Sequence, residues 1–548
     1  MAAANPFYAT FLGIPGSDHL MADFSPAGLN AVADLNRQAL ADISAMQPTN
    51  ADDRLARDFI IERITAELAA FDAGEWMRDL SAIGGPNTRI REIFDLMPRQ
   101  GTEAWTNIAS RLEAIPAALD GFRQTLLAGI EANCASTVRQ AHSVAEQAET
   151  WVASRWFDTL ADEAAVDDAG TDAALVQRLS DAAAVATDAY AALATFLRDD
   201  YAPRANVDDS SGEERYRLNV RLMTGADLDP QEMYEWGWTE YASLRDQILE
   251  TCEQILPGGS FAEVVELLET DPQRLQPSVS AYRDWLQGLT DEALARSAEF
   301  FDIPEAMNRC DVMIPPEGSA AAAHYMPPSE DFSRAGSTWY PTMGRTQLPT
   351  WSDVSTCYHE SVPGHHLQCA YAMLQGDRLS RYQRMAFISG HGEGWALYAE
   401  RLCDEMGWFS NPDYRLGFLC GQQLRAVRVV IDIGMHLKLR IPDDARTSDG
   451  ELFHPGEVWT PELALDFSSR ETGNTREYMR SEIDRYLSWP AQAITYKIGE
   501  REWLKARSAA QARLGDRFDL RGFHTFALSL GAVGLDQLQA ELANYQPA

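Results

Sequence analysis

Basic residues are scarce in this chain. Of its 548 residues, 46 are Lys or Arg against 82 Asp or Glu, a formal net charge of −36. That balance argues against a protein built to grip phosphate backbones, because no cationic face is there to neutralise them. It argues equally against docking on an anionic bilayer. Long apolar runs are also missing: nowhere do about 18 apolar residues follow one another, so no membrane-crossing helix is expected. The opening MAAANPFYATFLGIPG has no basic segment and no long apolar core, so no secretory leader is expected. Cysteine is sparse. Seven are scattered (Cys134, Cys252, Cys310, Cys357, Cys369, Cys403 and Cys420), none in a Cys-x-x-Cys pair. That argues against a disulfide scaffold or a structural zinc knuckle and fits reduced thiols, so the expected location is cytoplasmic.

What is present is globular composition, 45% hydrophobic and 23% charged. The acidity reads as solubility or tolerance of salt, or else as a field that favours cationic substrates. Apolar residues three and four apart predict helices over Leu29 to Met46, Asp53 to Phe71 and Thr102 to Leu127, and richness in Ala with Glu or Asp predicts long helices over Ser136 to Leu160 and Asp172 to Leu197. Turn residues at Pro203 to Gly212 form a hinge, and a further helix-rich stretch runs from Pro230 to about Phe301. No fixed-period repeat points to a solenoid. Near Cys310 the texture changes. Asp311 to Pro315 is short and apolar, and Ala320 to Tyr340 is dense in Pro, Gly, Ser and aromatics, the best candidate for β-structure. Helical patterning resumes at Ser352. The expected organisation is therefore a mainly α chain: a helical scaffold over 1–305, then a catalytic part over 306–548 that opens with a small sheet (306–345).

Three of the ten histidines, His359, His365 and His366, fall within HESVPGHH. Adjacent His and Glu followed by further His is the vocabulary of a zinc-hydrolase helix. The usual four-residue spacing fails, because position 363 is Pro; the later histidines come six and seven positions after His359. Seven residues on an ideal helix rise by about 10 Å, too far for two ligands to share an ion. Pro363 and Gly364 supply the break that brings a later imidazole back, since Pro removes a ladder bond and Gly permits unusual dihedrals. Either His365 or His366 then serves as the second ligand. A third ligand is expected from SGHGEGWALYAERL, where Glu393 begins a helical run. The glycines there form no phosphate loop, as no Lys-Ser/Thr follows them and no strand precedes.

Four blocks carry a resemblance: HESVPGHHLQ, GEGWALYAERL, RVVIDIGMH (Arg428 to His436) and PAQAITYKIG (Pro490 to Gly499). With LGIPGSDHLMADFSP and RYRLNVRLMTGADLDPQEM, the chain resembles, over most of its length, the bacterial family catalogued as domain of unknown function 885. That resemblance implies a zinc-dependent peptidase similar in fold to the carboxypeptidase Taq family: a large, mainly helical metallopeptidase-like fold with a small sheet beside the active-site helix and a deep cleft. Carried onto these positions, it implies His359, one of His365 or His366, and Glu393 as ligands of one zinc ion, with Glu360 as base. His391 departs from the family's pattern and either adds a ligand or lines the site.

The function expected is hydrolysis of short peptides, carboxypeptidase-like, with Glu360 taking a proton from a metal-activated water. Tyr496, and after it His436, are the candidate donors to the oxyanion. Asp432 and His436, four apart, share a helix face. Arg425, Arg428, Arg480 and Arg485 are candidates for holding a terminal carboxylate. Tyr325, Arg334 and Tyr340 are candidates for a substrate-binding edge. Neither nucleic acid nor membrane is expected as a partner. Two other readings compete: a metal-dependent amidase with a non-peptide substrate, and a helical binding protein that keeps a vestigial metal site.

Overall fold

The computed structural model describes residues 5–11, 13–164, 172–315 and 322–547. Its described residues are mainly helical, as the periodicity predicts. They fall into two compact units. Residues 1–46, 64–210 and 484–489 form the first, and 47–63, 211–483 and 490–548 the second. Residues 211–305, read from the sequence as the end of the scaffold, thus cluster with the second unit.

The first unit is built on long helices. Thr102–Glu131 and Ala173–Phe196 pack along each other, with Val138–Ala153 and Trp156–Glu163 beside the latter. Trp105, Leu112, Leu119, Phe122, Phe157 and Tyr190 belong to the core that they bury. The stretch expected as one helix from Ser136 to Leu160 is two, parted at Arg155, which adopts a left-handed backbone (φ 53°). Side-chain caps start several of these helices: Thr137 accepts from the amide of Gln140 and Asp172 from that of Leu175.

In the second unit the helix Pro230–Ile255 packs along Pro412–Leu437, and Ser389–Glu405 along Thr495–Leu514. The short helix Asp353–Glu360 touches both Ser389–Glu405 and Pro412–Leu437. Among the described residues, five short strands accompany them: β1 (Leu275–Gln276), β2 (Cys310–Met313), β3 (His324–Met326), β4 (Gly336–Trp339) and β5 (Leu348–Pro349). β1 pairs antiparallel with β5. The other three form one sheet in the order β2-β4-β3, with β2 parallel to β4 (Cys310 opposite Gly336) and β3 antiparallel to it (His324 opposite Trp339). The β-structure expected over Ala320 to Tyr340 is thus two strands of this sheet; its first two residues, Ala320 and Ala321, lie outside the described residues. Among the described residues, no helix is long and apolar enough to cross a membrane.

Candidate metal centre

The helix Asp353–Glu360 stops immediately after the His-Glu pair, and a new helix, His365–Leu374, begins with the doubled histidine. Between them the chain turns sharply. Ser361 N–H donates to Cys357 O, Gly364 N–H to Tyr358 O at 3.0 Å, and His366 N–H to Ser361 O at 2.9 Å. Gly364 sits so close to the preceding helix that a Cβ there would lie 1.9 Å from His359 O. Only glycine fits. Trp395 clamps the turn from the neighbouring helix, its indole N–H shared between the carbonyls of Pro363 and Gly364 at 3.0 and 3.1 Å. With the helix interrupted, the rings of His359 and His365 come within 4.9 Å of each other.

Glu393 closes the cluster from the helix Ser389–Glu405. Its Oε2 lies 3.4 Å from His359 Nε2 and 3.6 Å from His365 Nε2. One ligand atom from each of His359, His365 and Glu393 lies within 4.8 Å of the others. That helix is seated by contact without side chains: a Cβ on Gly394 would fall 2.5 Å from the backbone of Gly499 on the helix Thr495–Leu514. Gly394, read from the sequence as part of no phosphate loop, is thus a helix-crossing point.

The outer nitrogens of both imidazoles are engaged. His359 Nδ1 is 2.7 Å from Glu400 Oε1, whose Oε2 accepts from Ser355 Oγ at 2.5 Å. His365 Nδ1 is 3.2 Å from Gln368 Oε1. Each Nδ1 donates to an oxygen, which leaves each Nε2 facing the cluster as the atom that would ligate an ion, with a proton there displaced when the ion binds. Two neutral imidazoles and a carboxylate form a donor set that suits zinc.

Electrostatics point the same way. Burial disfavours charge on His359, but its contacts with Glu393 and Glu400 outweigh that and hold its pKa up at about 10. Burial would raise Glu393, yet the two histidines pull its carboxyl far below the usual carboxylate range. Glu400 is likewise lowered against its burial, chiefly by His359. The buried Glu400 and the half-buried Glu393 thus place a demand for positive charge on this spot.

The other expected residues are placed as follows. His366 does not join the cluster: its Nε2 donates to Met307 O at 2.8 Å, and its Nδ1 meets Tyr325 Oη at 3.0 Å. Both ring nitrogens are spent on tying the helix to β3 and to Met307. Glu360 is buried beside the cluster, and its carboxylate has no hydrogen-bond partner among the described residues. Tyr496 lies against His359, ring centroids 6.5 Å apart, with Arg428 4.9 Å from the Tyr496 centroid. His436 is engaged elsewhere. Its Nδ1 accepts from Ser211 N–H at 3.1 Å, and its ring packs on Tyr216. Asp432 accepts from Tyr216 Oη and from Ala491 N–H. Arg428 is paired with Glu482 at 2.7 Å. Tyr340 is buried, and Arg334 is exposed in the loop before β4. His391 reaches the cluster through Gln368, whose Nε2 donates to His391 Nδ1 at 3.2 Å.

Glu400 and Gln368 were not singled out from the sequence. A signal for Glu400 was available, since it lies seven residues after Glu393, two turns along the same helix face. None was available for Gln368, which needs the register of the interrupted helix.

The family described as bacterial protein of unknown function (DUF885) matches residues 6–542. No curated protein matches the chain. The fold is similar to that of a candidate lipoprotein from Colwellia psychrerythraea, with a TM-score of 0.86 at 21% identity, covering 99% of this chain and 96% of that one. It is also similar to a candidate lipoprotein of unknown function from Shewanella oneidensis, with a TM-score of 0.73 at 16% identity, covering 98% and 96%. At these identities the likeness is one of fold.

Proposed function

The chain belongs to the family of bacterial proteins of unknown function DUF885, and from that premise we propose that it is a zinc-dependent hydrolase that cleaves peptide bonds in short peptides, with carboxypeptidase-like action. The observation that carries this reading is the convergence of His359, His365 and Glu393, with each imidazole oriented by an oxygen acceptor at its far nitrogen. One zinc ion per chain is the expected complement. When bound, such an ion supplies Lewis acidity and acidifies water at neutral pH.

The chain's own residues provide the rest. Glu360 follows a ligand directly and has no hydrogen-bond partner among the described residues, so its carboxylate is available to take a proton from the attacking water and pass it to the leaving amine. Tyr496, stacked on His359, offers a hydroxyl to the charge that develops on the carbonyl oxygen. Glu400 and Gln368 fix the orientation of the imidazoles. The likeness to the carboxypeptidase Taq family rests on the sequence blocks alone. A cytoplasmic location gains no support from the similar structures, both of which come from proteins described as candidate lipoproteins.

The test is metal analysis and turnover on protein purified without an affinity tag. Expected are about one zinc per chain, hydrolysis of short peptides, loss of both on chelation, and recovery when zinc is returned. Zinc content well below one after dialysis against zinc overturns the reading in favour of a binding protein. Turnover of non-peptide amides with no peptide cleaved moves it to a metal-dependent amidase.

A further inference from the structure

Beside the metal cluster, on the His365 side, lies a small pocket walled by Gln368, Arg384, Phe387, Ile388, His391 and Leu528 among others. It adjoins the cluster directly. The ring of Phe387 stands 6.0 Å from that of His365, and Gln368 bonds to the same histidine. Phe387 is 55% exposed. The enclosed space is about 30 Å³, room for one or two waters or for one small group.

The polar side-chain atoms left over in its wall are donors. His391 Nε2 and Arg384 Nε are both buried without a partner. A hydrogen-bond chain sets the state of the first. With Nε2 of His365 turned to the cluster, its Nδ1–H donates to Gln368 Oε1, and Gln368 Nε2 then donates to His391 Nδ1. His391 therefore carries its proton on Nε2, the unpaired atom. Arg384 adds a cation, held loosely at its far end by Glu330 at 3.7 Å. The remaining wall is largely apolar. Two unspent donors, one of them on a guanidinium, suit a group that only accepts and carries negative charge.

We infer that this pocket binds a carboxylate of the substrate, with His391 and Arg384 as its donors. The inference rests on the hydrolase reading for the word substrate, and on the pocket alone for the carboxylate. Either a free C-terminus or an acidic side chain brings that group.

The experiment measures binding of 3-phenylpropanoate and of 3-phenylpropanamide by calorimetry, on protein stripped of metal and on zinc-loaded protein. The acid is expected to bind both forms, and the amide at least about ten-fold more weakly. Arg384→Met and His391→Phe are each expected to weaken the acid by a similar factor while zinc content stays unchanged. Should His391→Phe fail to fold, Arg384→Met and the acid-to-amide ratio of the unaltered protein still decide. Equal affinity for acid and amide, or variants that bind the acid as the parent does, overturns the inference and leaves the pocket to water. Acid binding in a protein that takes up no zinc sinks the metal reading and upholds the pocket. Acetylated dipeptides then separate the two sources: preference for a free over an amidated C-terminus assigns the terminal carboxylate, and preference for Glu over Gln in amidated peptides assigns the side chain.

Discussion

Glu400 holds His359: its Oε1 lies 2.7 Å from the histidine's Nδ1, and it is buried more deeply than the ligand it orients, 1% exposed against 4%. A carboxylate so placed fixes the tautomer, raises the basicity of Nε2 and keeps the ring from turning. Glu400→Ala removes all three effects and leaves a buried N–H without a partner. Zinc affinity is expected to fall by about 10–100-fold, read by competition with a chromophoric chelator. Glu400→Gln retains an acceptor oxygen and is expected to lose less. Equal affinity in parent and Ala variant would show that His359 is oriented by something else.

Glu360 separates metal binding from chemistry. It is not among the three converging ligands, so Glu360→Gln is expected to keep its zinc. Turnover should fall by about 10²–10⁴-fold, the usual worth of a general base, with KM little changed. A fully active Gln variant would remove Glu360 from the mechanism. Loss of zinc in that variant would make it a ligand instead.

The helical character, the strands near Cys310 and the break at Pro363-Gly364 were all legible in the sequence, because each rests on local rules of periodicity, turn chemistry and backbone freedom. The choice between His365 and His366 was not. It depends on how far the turn rotates the second helix, which is set by Trp395 gripping two carbonyls from another element. His436 misled for a related reason. A His four residues after an Asp reads alike whether it serves a site or a core, and here it packs against Tyr216 and the backbone of Ser211. The glycines around Glu393 carried a signal of close approach that no composition rule assigns to a partner helix.

Acid should destabilise the second unit through His524. This side chain is fully buried, stacked on Phe301, and its Nε2 meets Tyr398 Oη at 2.7 Å. Burial pushes its pKa down to about 3. In the unfolded chain a histidine titrates near 6.5, so between those values the unfolded state binds the proton that the folded state refuses. Stability is complete above about pH 6.5 and is lost as pH falls towards 3, by a few kcal/mol, on the order of 1.4 per pH unit. Urea unfolding of metal-free protein between pH 7 and pH 4 measures it. His524→Gln removes the titrating group, and its unfolding midpoint should depend less steeply on pH than the parent's. An unchanged slope would place the acid sensitivity elsewhere.

Gly364→Ala tests the turn on which the cluster depends. A methyl group at this position would meet His359 O at 1.9 Å and Tyr358 O at 2.5 Å, and both are backbone atoms that cannot swing aside. The chain must open the turn to admit it. Since His365 is the next residue, opening the turn carries its imidazole away from Glu393. The helices Ser389–Glu405 and Pro412–Leu437 make contacts that do not pass through residue 364, so most of the helical signal in circular dichroism should persist. Zinc affinity should fall by at least about 100-fold, because a ligand displaced by even an ångström leaves the coordination distance of about 2.0–2.1 Å for a zinc–imidazole bond. The variant thus separates a protein that is folded from one that can hold metal. Zinc bound as tightly as in the parent would mean that the histidines reach the ion by another path than this turn.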